Sequence, residues 1–239
     1  MAHGGYLGGR LASLMPGASA VDVKLRAPTP LETPLVIDRS DEPQLRLLAG
    51  DQVCAESSPS DFKLEGVPLV TYEQAERAGN EALDWVSSRL PAEARRRFLD
   101  DLDDPDEQDR CFGCLPRSDG LSILPGRVGS LDVAAAAVRV PPDLIVDDVV
   151  PAEIVWAAVD CPSLWVSHVL SDEEEGLLGR PTFTGTLSVR VHRLPRADER
   201  IFIQVWRLGR DNRKLFGAGV LVGEEAEILA EARQTAILA

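Results

Sequence analysis

Apolar residues at Ile154, Val155, Ala158 and Val159 recur at helical spacing through VPAEIVWAAVDCPSLW, residues 150–165. Pro151 suits a first helical position and Pro162 stops the run, so the pattern predicts a buried helix with Asp160 on its last turn. An acid is normally avoided at such a place, which leaves two readings: Asp160 closes the helix or pairs with a cation, or it does chemistry. A second helical pattern, HGGYLGGRLASLM at 3–15, spaces Tyr6, Leu7, Arg10, Leu11 and Leu14 along one helix and ends at Pro16-Gly17. Its glycines at 4, 5, 8 and 9 disfavour an isolated helix and allow something to approach the helix start closely.

Each helix precedes a run of strands. Val21 to Leu25 alternates as a strand; Leu35 to Ile37, Leu45 to Leu48 and Val53 to Glu56 give three more, with Ala49-Gly50-Asp51 the clearest turn. Thr71 to Phe98 turns helical, with Ala75, Ala78, Ala82, Leu83 and Trp85 apolar and Pro91 dividing it. Asp100 to Asp109 is an acidic run around a proline and reads as a solvated boundary between halves. Beyond Cys111 come strands at Leu121 to Leu124 and Asp132 to Val140, then the helix from Pro151 and an acidic loop at 171–176. Strands at Thr182 to Arg193, Ile201 to Leu208, Lys214 to Val222 and Ile228 to Leu238 close the chain.

The two halves repeat. Val21 to Asp38 laid under Leu187 to Gln204 matches strand to strand without a gap, so Val23 meets Val189 and Ile37 meets Ile203; Ala55-Glu56 falls on Ala230-Glu231. The architecture this predicts is α+β: two similar modules, each a long helix wrapped by a curved antiparallel sheet, related by a pseudo-two-fold. That symmetry makes the two helices antiparallel neighbours. Asp160, roughly 13 Å down its helix at 1.5 Å per residue, then sits beside the start of the first helix, where Gly4 and Gly5 offer backbone amides. The first-half counterpart of Asp160 is Ala12, so one of two symmetric sites has been lost. A carboxylate opposite free amides suits acyl transfer, the acid handling a water and the amides polarising a carbonyl.

Composition narrows the class. A net charge of −14 and a 44% hydrophobic content over 239 residues fit a folded acidic protein and exclude a basic nucleic-acid surface. No eighteen-residue apolar run and no secretory leader are visible. The cysteines at 54, 111, 114 and 161 form no spaced framework, which favours a reducing cytoplasm.

HGGYLGGRLASL, VWAAVDCPSL, TFTGTLSVRVHR and LAEARQT together resemble the helix starts, helix end and strands of the acyl-CoA thioesterase II (TesB-like) family, including actinobacterial-type members. The resemblance implies a double hotdog fold and thioester hydrolysis by an Asp-Thr-Gln trio at Asp160, Thr184 and Gln234, whose first-half counterparts are Ala12, Ala18 and Pro59. It also implies substrate contacts from His3, Gly4, Gly5 and Tyr6, with the Gly5 amide or a neighbour stabilising an oxyanion. Tyr6 stands where the family has Gln, and Thr186-Leu187 where it has Asp-His. Expected modules are 1–70, lacking its first strand, and 111–239, with a helical and acidic linker at 71–110. The alternative function is a non-catalytic acyl-CoA or lipid binder in the same groove. A hotdog hydratase would need a histidine near its acid, and none has that placement on the helices.

Other motifs weigh little. Cys111-Phe-Gly-Cys114 is a lone CxxC with Cys54 and Cys161 isolated, and similar CFGC openings in related sequences suggest a structural loop, so no metal and no cofactor is expected. HGGYLGG has neither the strand nor the Lys-Ser/Thr of a phosphate loop, and His168 and His192 have no G-x-S-x-G partner. Arg210, Arg213 and Lys214 read as a solvated hairpin that could meet CoA phosphates. The expected partners are an acyl-CoA or other acyl thioester and a second copy of the chain in a homodimer or larger homo-oligomer, with no nucleic acid and no membrane span.

Overall fold

The alternating segments become ten strands of one antiparallel sheet. The computed structural model describes residues 1–107, 110–171 and 176–239. In chain order they form α1 (Gly4–Ala12), β1 (Val21–Leu25), β2 (Val36–Asp38), β3 (Leu45–Ala49), β4 (Gln52–Pro59), α2 (Tyr72–Arg89) and α3 (Ala92–Asp103). Then follow β5 (Gly126–Arg127), β6 (Ala134–Val138), α4 (Ala152–Val169), β7 (Thr182–Val191), β8 (Ile201–Asp211), β9 (Lys214–Val222) and β10 (Ile228–Leu238). The strand order is β2-β3-β4-β1-β7-β10-β9-β8-β6-β5. Among the described residues no helix is long and apolar enough to cross a membrane.

The two halves meet where β1 pairs with β7, Asp22 opposite Ser188. Those two residues are each other's counterparts in the sequence repeat, as a two-fold axis through the ladder requires. On either side the registers also match: Val21 lies opposite Pro59 in the first half, and its counterpart Leu187 lies opposite Gln234 in the second. The repeat therefore holds at the level of single residues.

Helix α4 packs on β6 to β10, and α1 packs antiparallel against α4 and on β1, β4 and β7. The α1–α4 contact depends on glycine. A Cβ at Gly5 would lie 2.5 Å from the Trp156 carbonyl oxygen, and one at Gly8 would lie 2.6 Å from the Trp156 ring. A Cβ at Gly9 would collide with the backbone of Glu153. Four glycines each cost roughly 1 kcal/mol relative to alanine in a helix, so α1 is held by docking and not by propensity. His3 caps it, its Nδ1 accepting from the Tyr6 amide at 3.3 Å, and Arg10 pairs with Glu153 at 3.1 Å.

Two expectations need correction. Pro162 lies inside α4 and does not end it, which puts Asp160 in the middle of the helix. The residues beyond the proline, Val166, Ser167, His168 and Val169, are buried, and their packing outweighs the roughly 3 kcal/mol cost of an interior proline. Leu121 to Leu124 is no strand: the amides of Leu121 and Ile123 donate to the Phe112 and Gly113 carbonyls at 2.8 Å each, tying this segment to the 111–114 turn instead of the sheet. Part of the stretch expected as a linker packs on the sheet. Helix α2 buries Ala75, Ala78, Ala82 and Val86 and covers the outer face of β5, β6 and β8. Gln204 on β8 holds the incoming chain there, accepting from the Val70 amide at 3.0 Å and donating to the Pro68 carbonyl. Helix α3 buries no side chain, as its acidic character suggests. The rest of the acidic run reaches Gln108 and Asp109, and the acidic loop reaches 172–175, all outside the described residues.

Arg193, just after β7, clamps the turns that lead into β8 and β10. It donates to both oxygens of the buried Glu199 at 2.7 and 2.8 Å and to Glu227 at 2.6 Å. The Arg193 guanidinium holds the Glu199 carboxyl down to about 2, from an ordinary 4.5.

Two outcomes follow for stability. Gly9→Ala lowers the stability measured by urea unfolding by about 1–3 kcal/mol, although alanine gains about 1 kcal/mol in an unhindered helix. Because the Glu199 pKa is depressed on folding, its contribution is complete above the unfolded value near 4.5 and is lost as pH falls toward about 2. The stability gap between wild type and Glu199→Gln, followed by thermal unfolding against pH, therefore closes on the acid side and stays constant above pH 5.

Candidate active site

Asp160 is 3% exposed, and its carboxylate would be intolerable there without partners. It has three. Oδ2 accepts from the Gly5 amide at 2.6 Å, across the glycine contact that brings the start of α1 onto α4. Oδ1 accepts from the Thr184 hydroxyl on β7 at 2.8 Å and from Gln234 Nε2 on β10 at 2.6 Å. Gln234 Nε2 also donates to Thr184 Oγ1 at 3.0 Å, closing a triangle. The orientation of the Gln234 amide follows from this geometry, because the opposite flip would aim its oxygen at the carboxylate. Gln234 Oε1 is then left buried and without a partner. Burial pushes the Asp160 carboxyl above its ordinary range, against the opposing pulls of His3, Thr184 and the Gly5 amide.

The three residues expected to act together, Asp160, Thr184 and Gln234, thus lie within hydrogen-bonding distance in the second half of the chain. The first-half counterpart of Gln234, Pro59, has no side-chain donor to offer, in keeping with the loss of a second site. The residues at the start of α1 divide. The Gly5 amide is taken up by Asp160 and is not available to an oxyanion. The Gly4 amide has no partner among the described residues, and a Cβ on Gly4 would lie 3.2 Å from Asp160 Oδ2, so this amide borders the carboxylate. Tyr6 is 40% exposed.

His3, expected as a substrate contact at the helix start, caps α1 beside the acid. Its Nδ1 is 3.9 Å from Asp160 Oδ2, and its Nε2 is 3.2 Å from Cys161 Sγ. Burial alone would lower its pKa, but the bond to Cys111 and the charge of Asp160 outweigh it and leave His3 raised. The isolation of Cys161 read from the sequence does not hold either, since its Sγ is 3.4 Å from that of Cys111. Bonds from Cys114 and Cys161 hold the Cys111 thiol far below its ordinary range, and Cys111 in turn pushes both of them up. Of these four, only Cys111 and Cys114 share a recognisable spacing, and His3 and Cys161 lie far from them in the chain.

The other histidines are structural. His168 is buried, with Nδ1 2.9 Å from the Leu177 carbonyl and Nε2 2.9 Å from Thr182 Oγ1, and burial lowers its pKa. His192 lies 3.7 Å from Glu231 at the far end of β7. In the basic hairpin, Arg210 donates to the Asn212 carbonyl and Arg213 to that of Leu238, at 3.0 and 2.7 Å.

No protein-family model matches the sequence, and no curated protein matches it. Solved structures do. The chain is similar to the acyl-CoA thioesterase II TesB2 of Mycobacterium marinum over 99% of its own length and 89% of that chain, with a TM-score of 0.56 and 12% identity. A tesB protein of Mycobacterium avium subsp. paratuberculosis aligns over 100% of this chain and 87% of that one, with a TM-score of 0.54 and 10% identity. A hot dog fold protein of unknown function from Alicyclobacillus acidocaldarius aligns over 97% and 86%, with a TM-score of 0.52 and 12% identity. The protein is an α+β double hotdog, with the fold of the TesB-type acyl-CoA thioesterase II structures.

Proposed function

We propose that the protein hydrolyses acyl thioesters, with acyl-CoA esters as the substrate class, and that Asp160 is its general base. The observation that carries this reading is the buried carboxylate held by three donors beside an unpaired acceptor, Gln234 Oε1. Thr184, Gln234 and Gly5 fix the carboxylate in one orientation, and Gln234 Oε1 accepts one hydrogen of a water whose other hydrogen faces Asp160. The water oxygen attacks the thioester carbonyl carbon as Asp160 takes its proton. The oxyanion that forms accepts from the Gly4 amide, at the positive end of α1. The C–S bond then breaks, the proton on Asp160 passes to the departing sulfur, and a carboxylic acid and a free thiol are released. Fold similarity to an acyl-CoA thioesterase II and to a tesB protein supports the choice of thioester. The units of this machine are residues 1–70 and 111–239, the second supplying the acid and the first the amides.

Free-thiol release from acyl-CoA esters of graded chain length tests the reading. Wild type turns over part of the series, Asp160→Asn loses at least about 100-fold in kcat, and Gln234→Ala also falls, its unpaired acceptor gone. If no ester releases thiol while acyl-CoA still binds, and binding is indifferent to Asp160→Asn, the protein is instead an acyl binder.

A further inference from the structure

Three metal-binding side chains meet beside Asp160 from three separate parts of the chain, and a fourth, Cys114, shares a turn with one of them. His3 comes from the cap of α1, Cys111 and Cys114 from the turn after the acidic segment, and Cys161 from the middle of α4. The ligand atoms of His3, Cys111 and Cys161 all lie within 4.8 Å of one another. Cys114, 6% exposed, lies three residues on from Cys111 in the same turn. The three cysteines are in no disulfide. The turn between the two cysteines is shaped to this cluster. Its backbone is pinned by the Leu121 and Ile123 amides, and a Cβ on Gly113 would lie 2.6 Å from Cys161 Sγ and 2.8 Å from His3 Nε2. Only glycine lets the turn close over the donors.

We infer that His3, Cys111, Cys114 and Cys161 form a closed, tetrahedral zinc site that fastens the start of α1 and the 111–114 turn to α4. Three sulfurs and an imidazole are a donor set that zinc takes in structural sites, where no position is left open for substrate. Zinc–ligand distances of about 2.3 Å to sulfur and 2.05 Å to nitrogen make tetrahedral edges of about 3.8 Å between sulfurs and 3.5 Å from nitrogen to sulfur. The Cys111–Cys161 and His3–Cys161 separations of 3.4 and 3.2 Å need only a few tenths of an ångström of spreading, and Cys114 turns in from the loop it shares with Cys111 as the fourth ligand. A disulfide between Cys111 and Cys161 would instead strand Cys114 and His3 in the same buried cluster. The site also reaches the carboxylate. With Nε2 on the metal, the His3 ring proton sits on Nδ1, which stops accepting from the Tyr6 amide and faces Asp160 Oδ2, 3.9 Å away. The inference does not depend on thioesterase activity, since every test reads metal.

The probes are zinc and cobalt themselves. Protein purified from zinc-supplemented medium and kept reduced carries about one zinc per chain by elemental analysis. Cobalt added to the metal-free protein gives sulfur-to-cobalt charge transfer and the strong visible bands of a tetrahedral ion. Cys114→Ser and Cys161→Ser lose both signals, His3→Ala alters the visible bands, and Cys54→Ser, in β4, leaves both unchanged. Circular dichroism separates loss of metal from loss of fold, and Cys114→Ser is included because it spares α4. Reduced, folded wild type that takes up neither ion overturns the inference. So does cobalt bound without thiolate bands, or a Cys111–Cys161 disulfide in the protein as isolated with no metal present.

Discussion

The molecule depends on one close approach, that of α1 onto α4 through Gly5, Gly8 and Gly9. Backbone meets backbone there, and no side chain could be added on the contact face without parting the helices. The approach aims an amide at the Asp160 carboxylate and so supplies one of the three hydrogen bonds that make a buried charge tolerable. The interface between the two halves is thus the floor of the candidate site.

The acid is held by both halves, but unequally. Thr184 and Gln234 come from neighbouring strands β7 and β10 of the second half, and only backbone comes from the first. A backbone amide is available at any helix start, whatever its sequence. A buried carboxylate needs side-chain donors at matching positions on two strands. When Asp160 has Ala12 as its counterpart, the polar partners have no charge to stabilise, and Ala18 and Pro59 occupy their places. Register pairing of Leu187 with Gln234 and of Val21 with Pro59 makes this correspondence structural as well as sequential.

The neighbourhood of Asp160 is denser in chemistry than its own three bonds. Cys161 is the next residue of α4, and His3 lies between the carboxylate and the cysteine cluster. The same helix start therefore faces an acid on one side and three thiols on the other. Fixing α1 by glycine contact, by its histidine cap and by the cysteine turn constrains the amides from three directions.

Much of this was legible in the sequence. The helical spacing around Ile154 and Val159, the alternation of VDVKL and the gap-free repeat follow from periodicities of 3.6 and 2, which a chain must show when one face of each element is buried. Asp160 could be picked out because a repeat shows where one half differs from the other, whereas Thr184 and Gln234 were implied by the resemblance to the acyl-CoA thioesterase II family and only then checked against the repeat. Local rules failed where long-range packing overrode them. Pro162 stays inside a helix because the residues after it are buried, and Leu121 to Leu124 gives its amides to a turn instead of a strand. In the cluster of His3, Cys111, Cys114 and Cys161 only the Cys111–Cys114 pair has a spacing to recognise, because the other donors come from distant parts of the chain. Only the packing of α1 on α4, with the 111–114 turn folded over both, decided that they would meet, since chain distance sets no limit on which side chains share a buried volume.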